Sequence, residues 1–149
     1  MNDMNIYKKI KIGYVLGALI SLVLGVFIYI VFRKGTYLHI VLPETIDLKL
    51  EYIRDITEKN SIVCFLKYYF VDFLWGVSLS FSLFSAVDFR IQSRIIIMSL
   101  ISLIWGVLFE LAQFFSFTQG TFDFIDISMY ILAAVFAALI NKTIIKRMD

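Results

Sequence analysis

The sequence predicts an all-α integral membrane protein built as a four-helix bundle, and three observations carry that prediction. Of 149 residues, 60% are hydrophobic and 17% aromatic, with a single Pro; this is far too apolar for a soluble domain of such length. Four stretches, at about 12–32, 62–87, 95–117 and 123–142, each reach the roughly 20 helical residues that a hydrocarbon core of about 30 Å requires. The turn between the last two is confined to the residues around Thr118-Gln119-Gly120-Thr121, so those segments form an antiparallel helical hairpin. Residues 1–149 read as one transmembrane domain.

The first segment carries no charge from Ile12 to Phe32. Lys8, Lys9 and Lys11 in front of it have the look of a secretory leader. The apolar stretch is longer than a leader's, however, and ends in Arg33-Lys34 without a small-residue cleavage site, which predicts a retained helix. Gly13 with Gly17, and Gly17 with Gly25, offer it small-residue faces for close packing. An external loop follows at about 33–60. There Lys49, Glu51, Arg54, Asp55, Glu58 and Lys59 are interleaved with Leu48, Leu50, Tyr52, Ile53 and Ile56. Leu48, Tyr52 and Ile56 recur at helical spacing, predicting a surface-lying amphipathic segment, with a short strand over 48–52 as the alternative. His39, the only histidine, has no second His and no Cys beside it and reads as an interfacial polar residue, not a metal ligand or base. Trp75 and Trp105 fall in mid-helix, where packing is expected, whereas Tyr7, Tyr14, Tyr37, Tyr68 and Tyr69 are placed for the membrane interface.

Orientation follows from the basic residues. One side of the membrane would hold eight of them: Lys8, Lys9, Lys11, Arg90, Arg94, Lys142, Lys146 and Arg147. The other would hold five: Arg33, Lys34, Lys49, Arg54 and Lys59. The excess predicts that both termini are cytoplasmic and that the loop between the first two helices is external. A formal charge of +2 spread over loops and ends forms no basic patch and argues against nucleic acid as a partner. Cys64 is the sole cysteine, so no intramolecular disulfide exists.

Six polar side chains lie within or at the ends of the apolar segments: Lys67, Asp72, Glu110, Gln113, Asp123 and Asp126. Such groups are expensive in hydrocarbon and ask for a reason. Glu110 and Gln113 are three apart near the end of the third segment, and so share one side of it; Asp123 and Asp126 are three apart at the start of the fourth, where Asp123 can cap the helix. All but Asp72 are expected to converge in the outer half of the bundle. A purely structural account has Lys67 snorkelling outward, Asp123 capping, and Glu110 and Gln113 bonding across helices. Two carboxylates buried together nonetheless call for a cation, a shared proton or a ligand. Asp72 is expected to be protonated, or to pair with Lys67 or with a polar group of another helix. No His joins the cluster, and no Ser-His or Ser-Lys arrangement, HExxH or glycine-rich phosphate loop occurs, so no catalytic residue, metal or cofactor is assigned.

The run from Glu110 to Ala137 resembles the signature of VanZ-like membrane proteins. In that family a Glu and a Gln three apart end one helix, and two Asp three apart, an Asn and small residues open the next. Glu110, Gln113, Asp123 and Asp126 match this pattern, and Tyr68-Tyr69-Phe70-Val71-Asp72-Phe73-Leu74-Trp75 resembles the aromatic, Asp-containing second helix of some members. Tyr130 stands where the family has Asn and Ala133 where Gly is expected. The Arg common between the Gln and the first Asp is missing, leaving Lys67 as a substitute counter-charge. The resemblance covers about 30 residues by motif and most of the chain by helix layout, and marks a divergent member. It implies a bacterial cytoplasmic-membrane protein with an envelope role, since the family's named member is associated with low-level resistance to the glycopeptide teicoplanin; the absence of a catalytic arrangement makes that role non-enzymatic. It also implies an outer-leaflet partner, a lipid-linked wall precursor or the glycopeptide, besides the membrane lipid itself. Two other classes stay open. One is an intramembrane enzyme acting on an envelope lipid, with Glu110 or Asp126 as general base. The other is a proton or ion carrier using Asp72 and Glu110. Four spans without an internal repeat count against a carrier, although a homo-oligomer would supply the missing wall.

Overall fold

The computed structural model describes residues 3–33, 44–118 and 122–148. His39, Lys34, Tyr37 and the turn residues Gln119, Gly120 and Thr121 lie outside the described residues. Among those described, the chain forms five helices and no strand: α1 (Asp3–Phe32), α2 (Glu44–Thr57), α3 (Ser61–Ala86), α4 (Gln92–Phe114) and α5 (Phe124–Lys146). Four of them, α1, α3, α4 and α5, are long and apolar enough to cross a membrane, and the chain is a multi-pass membrane protein on that ground. Their outward faces are correspondingly apolar: Leu16, Leu19, Val23 and Phe27 of α1 and Leu132, Val135 and Leu139 of α5 are all exposed.

α3 is the hub. α1, α4 and α5 all pack on it, α4 and α5 also pack on each other, and α1 leans chiefly on α3. Small residues set these approaches. Gly17 of α1 faces the ring of Phe81, and Gly25 faces the indole of Trp75, whereas the space beside Gly13 is open; the close-packing face of α1 is therefore the Gly17 and Gly25 one. Serines stitch the interior: Ser78 Oγ donates to the Ala18 carbonyl at 2.9 Å, Ser80 and Ser102 hydroxyls pair at 3.0 Å, and Ser102 Oγ donates to the Gly76 carbonyl at 3.3 Å. Bonds of this kind between helices satisfy groups that lipid cannot.

The element ends differ from the sequence prediction for identifiable reasons. α1 begins at Asp3 instead of near 12, because hydropathy marks the apolar part of a helix and not its start; lysines are good helix formers, and Lys11 folds its ammonium over the Tyr7 ring, 5.1 Å from the centroid. α5 runs past 142 to Lys146, a cation in the last turn where the helix dipole favours it. α4 starts at Gln92, ahead of 95, and stops at Phe114 although the apolar run continues to 117. There the Phe117 amide donates to the Ala112 carbonyl at 2.8 Å and the Ser116 amide to the Gln113 carbonyl at 2.9 Å, the paired bonds of a Schellman turn. The turn requires a left-handed residue, and Ser116 supplies it at φ 58° with no glycine or proline to announce it. Ser116→Gly is expected to stabilise the chain by up to about 1 kcal/mol, since glycine adopts that conformation without the Cβ clash; thermal unfolding in micelles measures it.

The amphipathic segment between the first two spans is a helix, not a strand. α2 is tied to the end of α1 by Arg54, only 5% exposed, whose Nε donates to the Val31 carbonyl at 3.1 Å and Nη2 to the Ile30 carbonyl at 2.8 Å. A guanidinium on the last carbonyls of α1 satisfies orphan acceptors and meets the negative end of its dipole. Asn60 then caps α3, its Oδ1 accepting from the amides of Ile62 and Val63 at 3.0 and 3.3 Å.

At the other end of the bundle, the start of α1, the α3–α4 turn and the end of α5 meet. Tyr7 stacks on Phe89 with centroids 5.0 Å apart. Tyr14, placed at the interface by sequence, is instead buried, and its hydroxyl donates to Asn141 Oδ1 at 2.6 Å. Asn141, fully buried, passes the contact on by donating Nδ2 to the Phe89 carbonyl at 3.2 Å. The turn is closed by Asp88, whose carboxylate accepts from the Arg90 amide at 3.1 Å and from its guanidinium at 3.2 Å. Those hydrogen bonds hold the Asp88 carboxyl below its usual range.

Candidate functional site

A cavity of about 370 Å³ opens at the end of the bundle away from both chain termini, and every spanning helix contributes to its wall. The contributions follow helical spacing: Tyr29 and Arg33, four apart, from the end of α1; Tyr68, Asp72 and Trp75 from α3; Phe109, Glu110 and Gln113 from the end of α4; and Asp123 and Asp126 from the start of α5. Residues three or four apart share one helix face, so four short stretches turn one side each toward a common space. Asp72 sits roughly 16 Å along α3 from Ser61 at 1.5 Å per residue, which makes the cavity a shaft into the bundle and not a surface dent.

α3 is modified where it meets this shaft. Leu66–Phe70 form a π-helical turn within the otherwise α-helical span, and Tyr68 and Tyr69, both on the wall, lie in it. Such turns insert one residue per turn and re-aim side chains; they concentrate at functional sites.

Five of the six residues singled out by sequence, Asp72, Glu110, Gln113, Asp123 and Asp126, come together on this wall. Gln113 Nε2 donates to Glu110 Oε1 at 3.2 Å, a bond within α4 in place of the expected one across helices. Asp123 caps α5 by accepting the Ile125 amide at 2.9 Å. Lys67 is the exception: it is not on the cavity wall, and its ammonium lies over the Tyr68 ring, 4.7 Å from the centroid. The counter-charge on the wall is Arg33, which also covers the Tyr29 ring at 5.1 Å. Asp72 likewise takes its hydrogen bond from across the bundle and not from Lys67: Tyr130 Oη of α5 donates to Asp72 Oδ1 at 3.2 Å. Tyr130, read in sequence only as a departure from a motif, thus supplies the partner that Asp72 lacked. It is 6% exposed and lies between Gly76 and Gly106, so that a Cβ on either glycine would meet its ring.

Glu110 is 1% exposed, and its Oε2 has no hydrogen-bond partner; Asp126 Oδ1 is buried and equally unpartnered. A buried acceptor without a donor is costly, and these two face the same space. Among the described residues no three His, Cys, Asp or Glu side chains converge closely enough to hold a metal ion.

A second cavity of about 340 Å³ adjoins the first. It is lined mainly by apolar groups of Leu22, Leu79, Trp105, Phe109 and Tyr130, and it shares Trp75 and Phe109 with the acidic cavity. Trp105, expected as a packing residue, is 66% exposed on its rim.

Fold and site together define a multi-pass helical membrane protein with an acidic shaft at one end of the bundle. No protein-family model matches the chain, and neither does any curated protein or solved structure.

Proposed function

We propose that this is a VanZ-like protein of the bacterial cytoplasmic membrane, with both termini cytoplasmic, that acts by binding and not by catalysis. Its acidic shaft faces the outer leaflet and takes a cationic or amide-bearing ligand of the envelope, a lipid-linked wall precursor or a glycopeptide. The excess of Lys and Arg at the end holding Lys8, Arg90 and Lys146 supports the orientation. The single observation that carries the site is Glu110: a carboxyl group on the shaft wall, 1% exposed, with one oxygen held by Gln113 and the other buried without a hydrogen-bond partner. A positively charged or N–H-bearing group satisfies that oxygen and the one on Asp126 together. Binding is favoured over catalysis because, among the described residues, the wall holds carboxyls, tyrosines and one guanidinium and no Ser, Cys, His or Lys.

The expected result is that Glu110→Gln and Asp126→Asn each lower teicoplanin resistance toward that of cells lacking the protein, at unchanged membrane levels. Wild-type resistance in both variants, at equal protein level, contradicts the reading.

A further inference from the structure

The two cavities adjoin along a shared wall. Trp75 and Phe109 stand on both walls, and the hydrogen bond from Tyr130, which lines the apolar cavity, to Asp72, which lines the acidic one, joins them again. The acidic part lies at the end of the bundle, where α1 and α4 end and α5 begins. The apolar part lies deeper, between α1 and α4 over α3, flanked by Leu22 at 44% and Trp105 at 66% exposure. α1 packs chiefly on α3, while α4 packs on α3 and α5, so the groove between α1 and α4 is open to the side. A polar chamber joined to a laterally open apolar groove has the shape of an amphiphile lying along the membrane normal.

We infer that the site holds a membrane lipid with a primary ammonium in its head group, the ammonium in the acidic shaft and an acyl chain in the groove between α1 and α4. This rests on the reading of the acidic shaft as a ligand site. Charge complementarity fixes the head group. Among the described wall residues, four carboxyl side chains stand with one guanidinium, and Glu110 and Asp126 each carry a buried oxygen without a hydrogen-bond partner. An ammonium donates three hydrogen bonds. Arg33 complements the phosphate that such lipids carry next to the amine. The occupant of the groove follows from its lining and from the bilayer that surrounds four spanning helices.

The chain has two tryptophans, so Trp105→Phe leaves Trp75, at the junction, as the sole reporter. The full chain is placed in bilayers containing either phosphatidylethanolamine or phosphatidylglycerol brominated in the acyl chain, and quenching of Trp75 is followed against mole fraction. Half-quenching is expected at a roughly tenfold lower mole fraction of the amine lipid, the scale of one charge-assisted hydrogen bond. Glu110→Gln and Asp126→Asn should each abolish the preference while leaving quenching itself, and Ser82→Phe, which fills the groove, should reduce quenching by both lipids. Equal quenching by the two head groups, or a preference unchanged in both carboxyl variants, overturns the inference. Absence of quenching by either lipid also overturns it, and titration with soluble spermidine then separates the two readings. Spermidine binding that Glu110→Gln removes leaves the acidic shaft as a site for a soluble amine, whereas no binding removes both.

Discussion

Gly106→Val is expected to cost the fold about 3 kcal/mol or more, at the upper end of what overpacking a helix interface does. A Cβ at this position would lie 2.6 and 2.8 Å from Cδ1 and Cδ2 of Tyr130, and nearer still to Cγ. Those atoms are the root of the ring and cannot swing aside. Retreat in the other direction is closed, because Gly76 and the adjoining Ala133 hold the far side. The helices α4 and α5 must therefore separate, and the Tyr130 hydroxyl leaves Asp72. Unfolding in mixed micelles reads the loss. Adding Tyr130→Ala makes room for the new side chain, so the double variant should lose distinctly less than the sum of the single ones; strict additivity would mean that Gly106 serves something other than this contact.

Asn141→Ala is expected to destabilise by about 2 kcal/mol through a different route. Its amide closes a chain from Tyr14 on α1 to the Phe89 carbonyl in the α3–α4 turn, all of it buried. Truncation leaves a hydroxyl and a carbonyl without partners, and an orphaned buried polar group costs about 1–3 kcal/mol; interhelical bonds in bilayers are individually weaker, which moderates the sum. Tyr14→Phe removes only one of the two bonds and should cost about half as much. In the double variant the Tyr14 deletion should add little beyond Asn141→Ala, as expected for residues acting as one unit.

The parts of this structure that sequence made plain are those set by one helix at a time. Spans follow from apolar length, the shared face of Glu110 and Gln113 from three-residue spacing, and the Asp123 cap from an acidic residue before an apolar run. The convergence of Glu110, Gln113, Asp123 and Asp126 followed from their places at facing helix ends, whereas most individual contacts between helices were hidden. Tyr130 looked like a defect in a motif, because its meaning lies in Asp72, 58 residues earlier on α3. Asn141 carries no signal in the sequence that marks it off from other polar residues near a helix end, yet it is completely buried. Lys67 drew attention as a charge in an apolar run, while Arg33, at the end of α1, was counted only for topology; the pair Tyr29 and Arg33, four apart, was the available sign that α1 turns a polar face to the same chamber. The end of α4 was concealed because a serine, not a glycine, occupies its left-handed position.

The central claim is that the acidic shaft opens to the outside of the cell, and cysteine accessibility tests it most directly. Cys64→Ser removes the only native thiol, after which Gln113→Cys places one on the shaft wall and Arg90→Cys places one in the turn at the opposite end. A membrane-impermeant maleimide applied to intact cells should label the thiol at position 113, and should reach the one at position 90 only after the membrane is permeabilised. Labelling of position 90 in intact cells, with position 113 protected until permeabilisation, would contradict the account.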